Sequence, residues 1–179
     1  IRPREILTFE AFENAIMMLN SVGGSTNGIL HLLALANEVN VDLTYDDFER
    51  IRKKTPHLAD MKPGGNYVME SLDKIGGIPF VLKKLLEKGL LNENCMTVTG
   101  KTIKENLNAI KLPDKEQHVV RSIENPLHEV GTAVILKGSL APEGAVIKTA
   151  GVEMTKFTGN AKVYDREEYA FDAVSKGKI

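Results

Sequence analysis

The chain has 179 residues, of which 42% are apolar and 26% are charged. Its 23 basic and 24 acidic side chains nearly cancel, so the charge balance gives no sign of a nucleic-acid or anionic-membrane partner. No apolar run reaches the roughly 20 residues of a membrane-spanning helix, and the first residues lack the apolar core of a signal peptide. We therefore expect a soluble, cytoplasmic globular protein.

Helix signals fill the chain up to about residue 116. The spacing of apolar residues predicts helices over 8–20, with Thr8 as N-cap, and over 27–39. The second helix has so many large apolar residues that we expect it to be buried on most sides. The other predicted elements here are a capping-box helix near 45–53 (Thr44, Asp47), a loop over 55–66, a short helix over 67–77, a helix begun by Pro79 and ended by Gly89, a strand over 95–100, and a capping-box helix from Thr102 (with Glu105) to about 109.

Strand signals replace helix signals from about residue 117, after "KLPDKEQ" (111–117). Asp165 precedes a last predicted helix, with Glu168 in the capping-box position and Gly177 as its C-cap. About 60 residues are few for a separate core, so we expect this block to pack on the first or to begin a larger β domain. Its predicted strands are "HVVRSI" (118–123), "TAVILKG" (132–138), "AVIKTAG" (145–151) and "AKVYD" (161–165).

Metal-binding side chains are sparse. Cys95 is the one cysteine, and a single thiol cannot by itself hold an iron–sulfur cluster or a structural zinc ion. We interpret it as a small apolar residue at the start of a strand. The four histidines lack the i, i+4 spacing of a helical zinc site, and we expect His31 to be a hydrogen-bonded core residue.

The segment "VTGKT" (98–102) matches the sequence pattern of a phosphate-binding loop only in part. The full pattern requires a glycine at the position that Cys95 occupies. We therefore interpret these residues as a strand–turn–helix connection that Thr102 caps.

The main candidate for a binding site is "GGSTN" (23–27), which runs directly into the second helix. Helix-start N–H groups bind anions, and glycines let a ligand approach the backbone. Ser25, Thr26 and Asn27 add donors, so the segment predicts either a pocket for a carboxylate or phosphate, or helix capping alone. "MKPGGNY" (61–67), with Lys62, is a second glycine turn before a helix, and the same two interpretations apply.

Longer phrases resemble the dihydroxy-acid dehydratase family, whose related members dehydrate phosphogluconate and sugar acids. The similar phrases follow the family's order along nearly the whole chain. They are "GGSTNGILHLLALANEVNVDLTYDDFERI", "TPHLADMKPGGNYVMESLDKIGGIPFVLKKLLEKGLL", "CMTVTGKTIKENL", "GSLAPEGAVIKTAGV" and "FTGNAKVYDREEYAFDAVSKGKI".

The resemblance implies a mixed α/β fold in two parts. Residues 1–116 would be the helix-rich end of an N-terminal α/β domain, and residues 117–179 the start of a C-terminal, swivel-like β-barrel domain. It also implies a hydro-lyase of branched-chain amino-acid biosynthesis, which removes water from a 2,3-dihydroxy carboxylate to give a 2-oxo acid. The implied whole enzyme is cytoplasmic and a homodimer or a dimer of dimers.

The implied cofactors are an iron–sulfur cluster, 2Fe–2S or 4Fe–4S, as Lewis acid on the leaving hydroxyl, and Mg²⁺, which binds the substrate. The family's cluster cysteines, Mg²⁺ ligands and catalytic serine belong to motifs that this chain does not contain. We therefore expect an inactive fragment without catalytic or metal-binding residues, in which Ser25, Thr26 and Asn27 bind substrate. The alternatives are a phosphogluconate or sugar-acid dehydratase, or a non-catalytic module that binds a small anion.

Overall fold

The computed structural model describes residues 1–112, 116–152, 154 and 156–179. The described residues form a mixed helix and strand fold, as expected. The predicted end of the helical block within 111–117 falls partly on residues 113–115, outside the described residues. In chain order the elements are α1 Pro3–Ile6, α2 Phe9–Ser21, α3 Asn27–Val39, α4 Tyr45–Lys54, α5 Met69–Asp73, α6 Gly77–Glu87, α7 Ile103–Ala109, β1 Ala133–Gly138, β2 Ala141–Lys148 and α8 Glu167–Ser175.

All the predicted helices of the first block are present, but α5 is shorter than the predicted 67–77 and α6 begins at Gly77 rather than at Pro79. N-caps explain where three of the helices begin. Thr8 Oγ1 accepts a hydrogen bond from the Ala11 N–H at 3.3 Å at the start of α2. Capping boxes start α4 at Thr44 and α7 at Thr102. Helix α1, where Pro3 occupies the first turn, was not predicted from the sequence.

The core lies around α2 and α4. Helix α2 packs against α3, α4 and α6, and α6 in turn packs against α5 and α7. Ile16 of α2 and Phe48 and Ile51 of α4 are almost wholly inaccessible to solvent. Burying such side chains supplies most of the favourable free energy of folding.

Helix α3 is less buried than its composition predicts. Only Ile29 and Ala36 are buried, whereas Leu30 is 59% exposed and Leu35 47% exposed. The expected burial on most sides is therefore wrong, because within the described residues α3 packs on α2 through one face. His31 lies on the exposed side, so the expected core histidine is also wrong.

The strand block contains one two-stranded antiparallel sheet within the described residues, and not a closed barrel. Ala133 pairs with Lys148 and Ile135 with Val146, with an irregularity between Leu136 and Gly138. The sheet packs on α4 through β1.

Three predicted strands are absent from the described structure. Residues 95–100 and 118–123 contribute only isolated bridges, Met96 with Thr102 and Val120 with Ala59. Residues 161–165 have no strand partner, and Val163 is 91% exposed. A β-branched run becomes a strand only where another strand supplies hydrogen bonds, which the run itself does not reveal.

The last helix was predicted with the wrong cap. Arg166, not Asp165, occupies the N-cap of α8 and makes no side-chain capping bond, so the capping box with Glu168 is absent. Gly177 does take the left-handed conformation expected after a helix end (φ +62°). No helix in the described part of the chain is both long and apolar enough to cross a membrane.

Candidate functional site

A pocket of about 370 Å³ lies where the two glycine turns meet the end of β2. We call it the glycine-loop pocket. The structure thus brings together the two segments that the sequence analysis selected separately, and adds a residue from the sheet. Its lining residues are Val22, Gly23, Gly24, Ser25, Thr26, Met61, Lys62, Pro63, Met69 and Lys148.

Tight packing explains the glycines of the first turn. After α2 ends, Gly23 has a φ of +60°, and the Gly24 N–H donates to the Leu19 carbonyl at 2.8 Å. A Cβ on Gly24 would lie 2.4 Å from Leu19 Cδ1, and one on Gly28 would lie 2.7 Å from the same atom. The left-handed φ of Gly23 favours glycine there whether or not a ligand binds, whereas a Cβ at Gly24 or Gly28 would require the end of the Leu19 side chain to move.

The polar residues of this turn have different positions. Ser25 Oγ accepts a hydrogen bond from the Asn27 N–H at 3.2 Å, so Ser25 does cap the start of α3. Thr26 has helical backbone angles and makes no side-chain capping bond, so the expected capping by Thr26 is wrong. Ser25 and Thr26 line the pocket, whereas Asn27, the exposed first residue of α3, is not among its lining residues.

The second turn is held by the carboxylate of Asp60. This carboxylate accepts hydrogen bonds from the Asn66 backbone N–H at 3.1 Å and from Asn66 Nδ2 at 2.8 Å. Gly65 lies so close that an added Cβ would be 2.3 Å from Asp60 Oδ1. The Lys62 N–H donates to the Tyr67 carbonyl at 2.8 Å, which fixes the backbone of Lys62 at the pocket.

Contact between two glycines brings the strand block to this turn. A Cβ on Gly64 would lie 2.8 Å from the Ala150 carbonyl oxygen, and one on Gly151 would lie 2.9 Å from Gly64 Cα. The residues just after β2 therefore pack directly on the second turn, and Lys148 reaches the pocket from the end of β2.

The charge of the lining is positive. Its ionisable side chains are Lys62 and Lys148, and no carboxylate is among the lining residues. A second pocket, of about 410 Å³, is larger, but Glu5, Glu10 and Glu93 line it beside Cys95. Three carboxylates disfavour an anionic ligand, so the glycine-loop pocket is the better candidate for one.

His57 lies directly behind the first turn. It is buried, and a Cβ on Gly23 would be 2.7 Å from its Nε2. Its Nδ1 is 2.8 Å from Nδ1 of His128, and the two rings stack. Burial, with help from the nearby His128 and Lys148, lowers the pKa of His57 to about 4, so its ring is neutral at pH 7.

The described residues do not provide a site for the cofactors that the sequence resemblance implies. Among them, no group of three or more His, Cys, Asp or Glu side chains is placed to hold a metal ion. Cys95 is half-buried, and its sulfur lies 3.5 Å from Asn14 Nδ2. Burial and the neighbouring Glu10 raise the pKa of the Cys95 thiol, which disfavours the thiolate that binds metals.

Sequence reasoning missed the part of the pocket that comes from distant segments. Lys148 belongs to a run predicted as a strand, and nothing in that run indicates a ligand. Met69, at the start of α5, was equally unmarked. Only the packing of the strand block on the second glycine turn places Lys148 there, and no local signal could have found it.

Comparison with known proteins gives the family. Residues 1–106 match the sequence model described as dihydroxy-acid/6-phosphogluconate dehydratase, N-terminal, and residues 118–179 match its C-terminal counterpart. The chain therefore belongs to the dihydroxy-acid/6-phosphogluconate dehydratase family, which confirms the resemblance found in the sequence.

Curated relatives agree with this assignment. The chain is 59% identical over its whole length to a dihydroxy-acid dehydratase of Saccharolobus islandicus (strain L.S.2.15 / Lassen #1). It is 56% identical to the enzymes of that name from Sulfolobus acidocaldarius and Mycobacterium ulcerans (strain Agy99), again over its whole length. In each case it covers 32% of the relative, so the chain spans about a third of the length of these proteins.

Proposed function

We propose that this chain is part of a hydro-lyase that converts 2,3-dihydroxy carboxylic acids to 2-oxo acids in branched-chain amino-acid biosynthesis. The names of the curated relatives support this reaction. The observation that supports a role for particular residues is the glycine-loop pocket, because this cationic cavity is suited to an acidic small molecule.

In this proposal the chain contributes binding rather than bond-breaking. Ser25 and Thr26 line the pocket, and Asn27 follows them at the start of α3. These groups would position the dihydroxy acid. The iron–sulfur cluster, of either the 2Fe–2S or the 4Fe–4S type, and Mg²⁺ belong in this proposal to the whole enzyme. Among the described residues, no group of three or more His, Cys, Asp or Glu side chains could hold either of them.

The proposal also includes the organisation of the whole protein. We assign residues 1–116 to the end of an N-terminal domain and residues 117–179 to the start of a C-terminal, swivel-like β-barrel domain. The separate matches at 1–106 and 118–179 support this division. We further propose a cytoplasmic homodimer or dimer of dimers.

Substitutions in the full-length enzyme test the role of the first turn. Thr26→Ala and Asn27→Ala should each lower kcat/KM for 2,3-dihydroxyisovalerate by about 10-fold or more, because each loss of ~1.4 kcal/mol in transition-state binding is a factor of ten. Activity is normalised to folded, cluster-loaded enzyme. Thr158→Ala, which changes an exposed threonine outside the pocket, is the matched control.

Two results would contradict parts of the proposal. Unchanged kcat/KM in both variants, with a lowered melting temperature, would reduce these residues to a structural role. Turnover of 6-phosphogluconate or a sugar acid, without turnover of 2,3-dihydroxyisovalerate, would favour the alternative dehydratases of the family.

A further inference from the structure

Two lysines from distant parts of the chain reach the glycine-loop pocket. Lys62 comes from the second glycine turn, within the N-terminal family match, and Lys148 from the end of β2, within the C-terminal match. The pocket therefore contains both cations only when these two parts of the chain pack together.

Both lysines have fixed backbones. The Lys62 N–H bonds to the Tyr67 carbonyl, and Lys148 pairs with Ala133 across the sheet. Beyond Lys148, the Thr149 N–H donates to the Thr132 carbonyl at 2.8 Å. Because their backbones are already fixed, the two lysines lose little backbone freedom when they bind a ligand, and only their side chains become more ordered.

Their charges are available to a ligand. Within the described residues, neither ammonium group lies within 4.0 Å of a carboxylate, whereas Lys74, Lys104 and Lys137 each pair with a glutamate or an aspartate. The positive charge of Lys148 also affects His57 behind the first turn, because it is one of the groups that lower the pKa of that histidine.

The rest of the lining indicates what kind of anion fits. Apart from the small residues of the first turn, the wall is made of Val22, Met61, Pro63 and Met69. An apolar wall beside two cations suits a short acid with an alkyl group better than a sugar phosphate, because Ser25 and Thr26 are the only hydroxyl side chains among the lining residues and a sugar has several hydroxyls to satisfy.

We propose that Lys62 and Lys148 together bind the carboxylate of an alkyl-substituted dihydroxy acid in the glycine-loop pocket. This inference rests on the proposed function and adds to it the residues that recognise the anion. The two lysines are binding residues in this assignment, and no bond-breaking step is assigned to them.

The test uses the full-length, cluster-loaded enzyme. Lys62→Met and Lys148→Met, singly and together, keep the length of the side chain and remove its charge. We expect KM for 2,3-dihydroxyisovalerate and Ki for the product 2-oxoisovalerate to rise about 10-fold or more in each single variant, as for loss of a charged hydrogen bond, and further in the double variant. Lys62→Arg and Lys148→Arg should recover most of the affinity. Lys137→Met, which removes an exposed cation of β1 outside the pocket, is the control.

The possible outcomes separate the two proposals. A KM and Ki within about two-fold of wild type in the double variant would overturn the lysine assignment while the dehydratase activity stands. If the double variant loses binding of 6-phosphogluconate but binds 2-oxoisovalerate as wild type does, the assignment of the two lysines to a carboxylate is overturned. If the unmodified enzyme does not turn over any dihydroxy acid, the proposed function fails. Calorimetric titration of 2-oxoisovalerate into the wild-type and double-variant proteins then still decides the lysine assignment.

Discussion

The helical region, residues 1–112, and the strand region, residues 116–179, bury their apolar side chains to very different extents. The helical region contains nearly all of the buried apolar residues, whereas the strand region contributes only Val119, Val120, Ala133 and Ala173 among the described residues. In the strand region Leu140 is 99% exposed and Phe157 80% exposed.

The physical difference lies in where backbone hydrogen bonds are made. A helix satisfies its N–H and C=O groups within itself, so the helical region can close a core from its own segments. A strand needs a neighbour, and β1 and β2 have only each other in the described residues. An apolar face on such a sheet stays exposed unless another layer covers it.

A matched pair of phenylalanines gives the largest expected difference between the regions. Phe48 is 1% exposed in α4, and Phe171 is 69% exposed in α8. In the 179-residue chain, Phe48→Ala should lower the free energy of unfolding by about 3–5 kcal/mol, because it removes a buried ring and leaves a cavity. Phe171→Ala should change it by less than about 0.5 kcal/mol.

Urea unfolding of the two variants measures this comparison. Losses of similar size would mean that Phe171 is covered, for example by association of two chains. Repeating the measurement over a range of protein concentrations distinguishes association from burial within one chain.

The contact between the two regions is expected to depend on Asn20. This fully buried side chain accepts a hydrogen bond from the Ala133 N–H at 3.1 Å and donates one to the Ile16 carbonyl at 2.9 Å. Asn20→Ala leaves the buried Ala133 N–H without its partner, which should lower the free energy of unfolding by about 1–3 kcal/mol. Asn37→Ala, at an exposed position of α3, is the control.

Amide hydrogen exchange shows whether the loss is local. We expect faster exchange at Ala133 and along β1 in Asn20→Ala, with little change in α6. Uniform acceleration across both regions would instead mean that they unfold as one cooperative unit.

Local signals predicted the helical region well. Thr8, Thr44 and Thr102 mark helix starts in the sequence, and each is the N-cap of its helix in the structure. The strand region was predicted less well, because "AKVYD" has the composition of a strand but no partner in the described structure. The burial of α3 was overestimated for a similar reason, since composition does not tell which neighbours a helix has.

The candidate site also has a part that local sequence signals predicted and a part that they did not. Glycines followed by a helix marked both turns of the pocket, because that pattern is local. Lys148 and His57 depend on packing between segments far apart in the sequence, and no local pattern marks them. Their contribution could only be recognised once the fold was known.

His57 makes the junction behind the first glycine turn sensitive to pH. Its pKa is about 4 in the folded chain, against about 6.5 when unfolded, so between these values the unfolded state binds more protons. The stability linked to His57 is complete above pH 6.5 and is lost as the pH falls toward 4. The slope is at most about 1.4 kcal/mol per pH unit.

The measurement is the free energy of unfolding between pH 7 and pH 5. Burial raises the pKa of Glu13 and Asp47, but hydrogen bonds and ion pairs outweigh it, and they also lower the pKa of Glu49. These carboxyls are common to wild type and variant, so the difference between the two pH profiles reports His57. His57→Gln should be less stable than wild type at pH 7 but lose less stability on acidification. Parallel pH profiles for the two proteins would contradict the assignment of a neutral, buried His57.

The smallest expected effect has opposite signs in the two regions. Thr55, at the end of α4, and Thr132, just before β1, are each 1% exposed. The Thr55 hydroxyl donates to the Ile51 carbonyl at 2.7 Å, whereas Thr132 Oγ1 has no hydrogen-bond partner among the described residues. Valine replaces the hydroxyl by a methyl group of nearly the same size.

Thr55→Val therefore removes a hydrogen bond and should lower the free energy of unfolding by about 1 kcal/mol. Thr132→Val removes a buried polar group that lacks compensation and should raise it by about 1 kcal/mol. Denaturant titration under identical conditions compares the two variants with wild type. A loss of stability in both would show that Thr132 bonds to a buried water molecule, and the strand region would then satisfy its buried polar groups as fully as the helical region does.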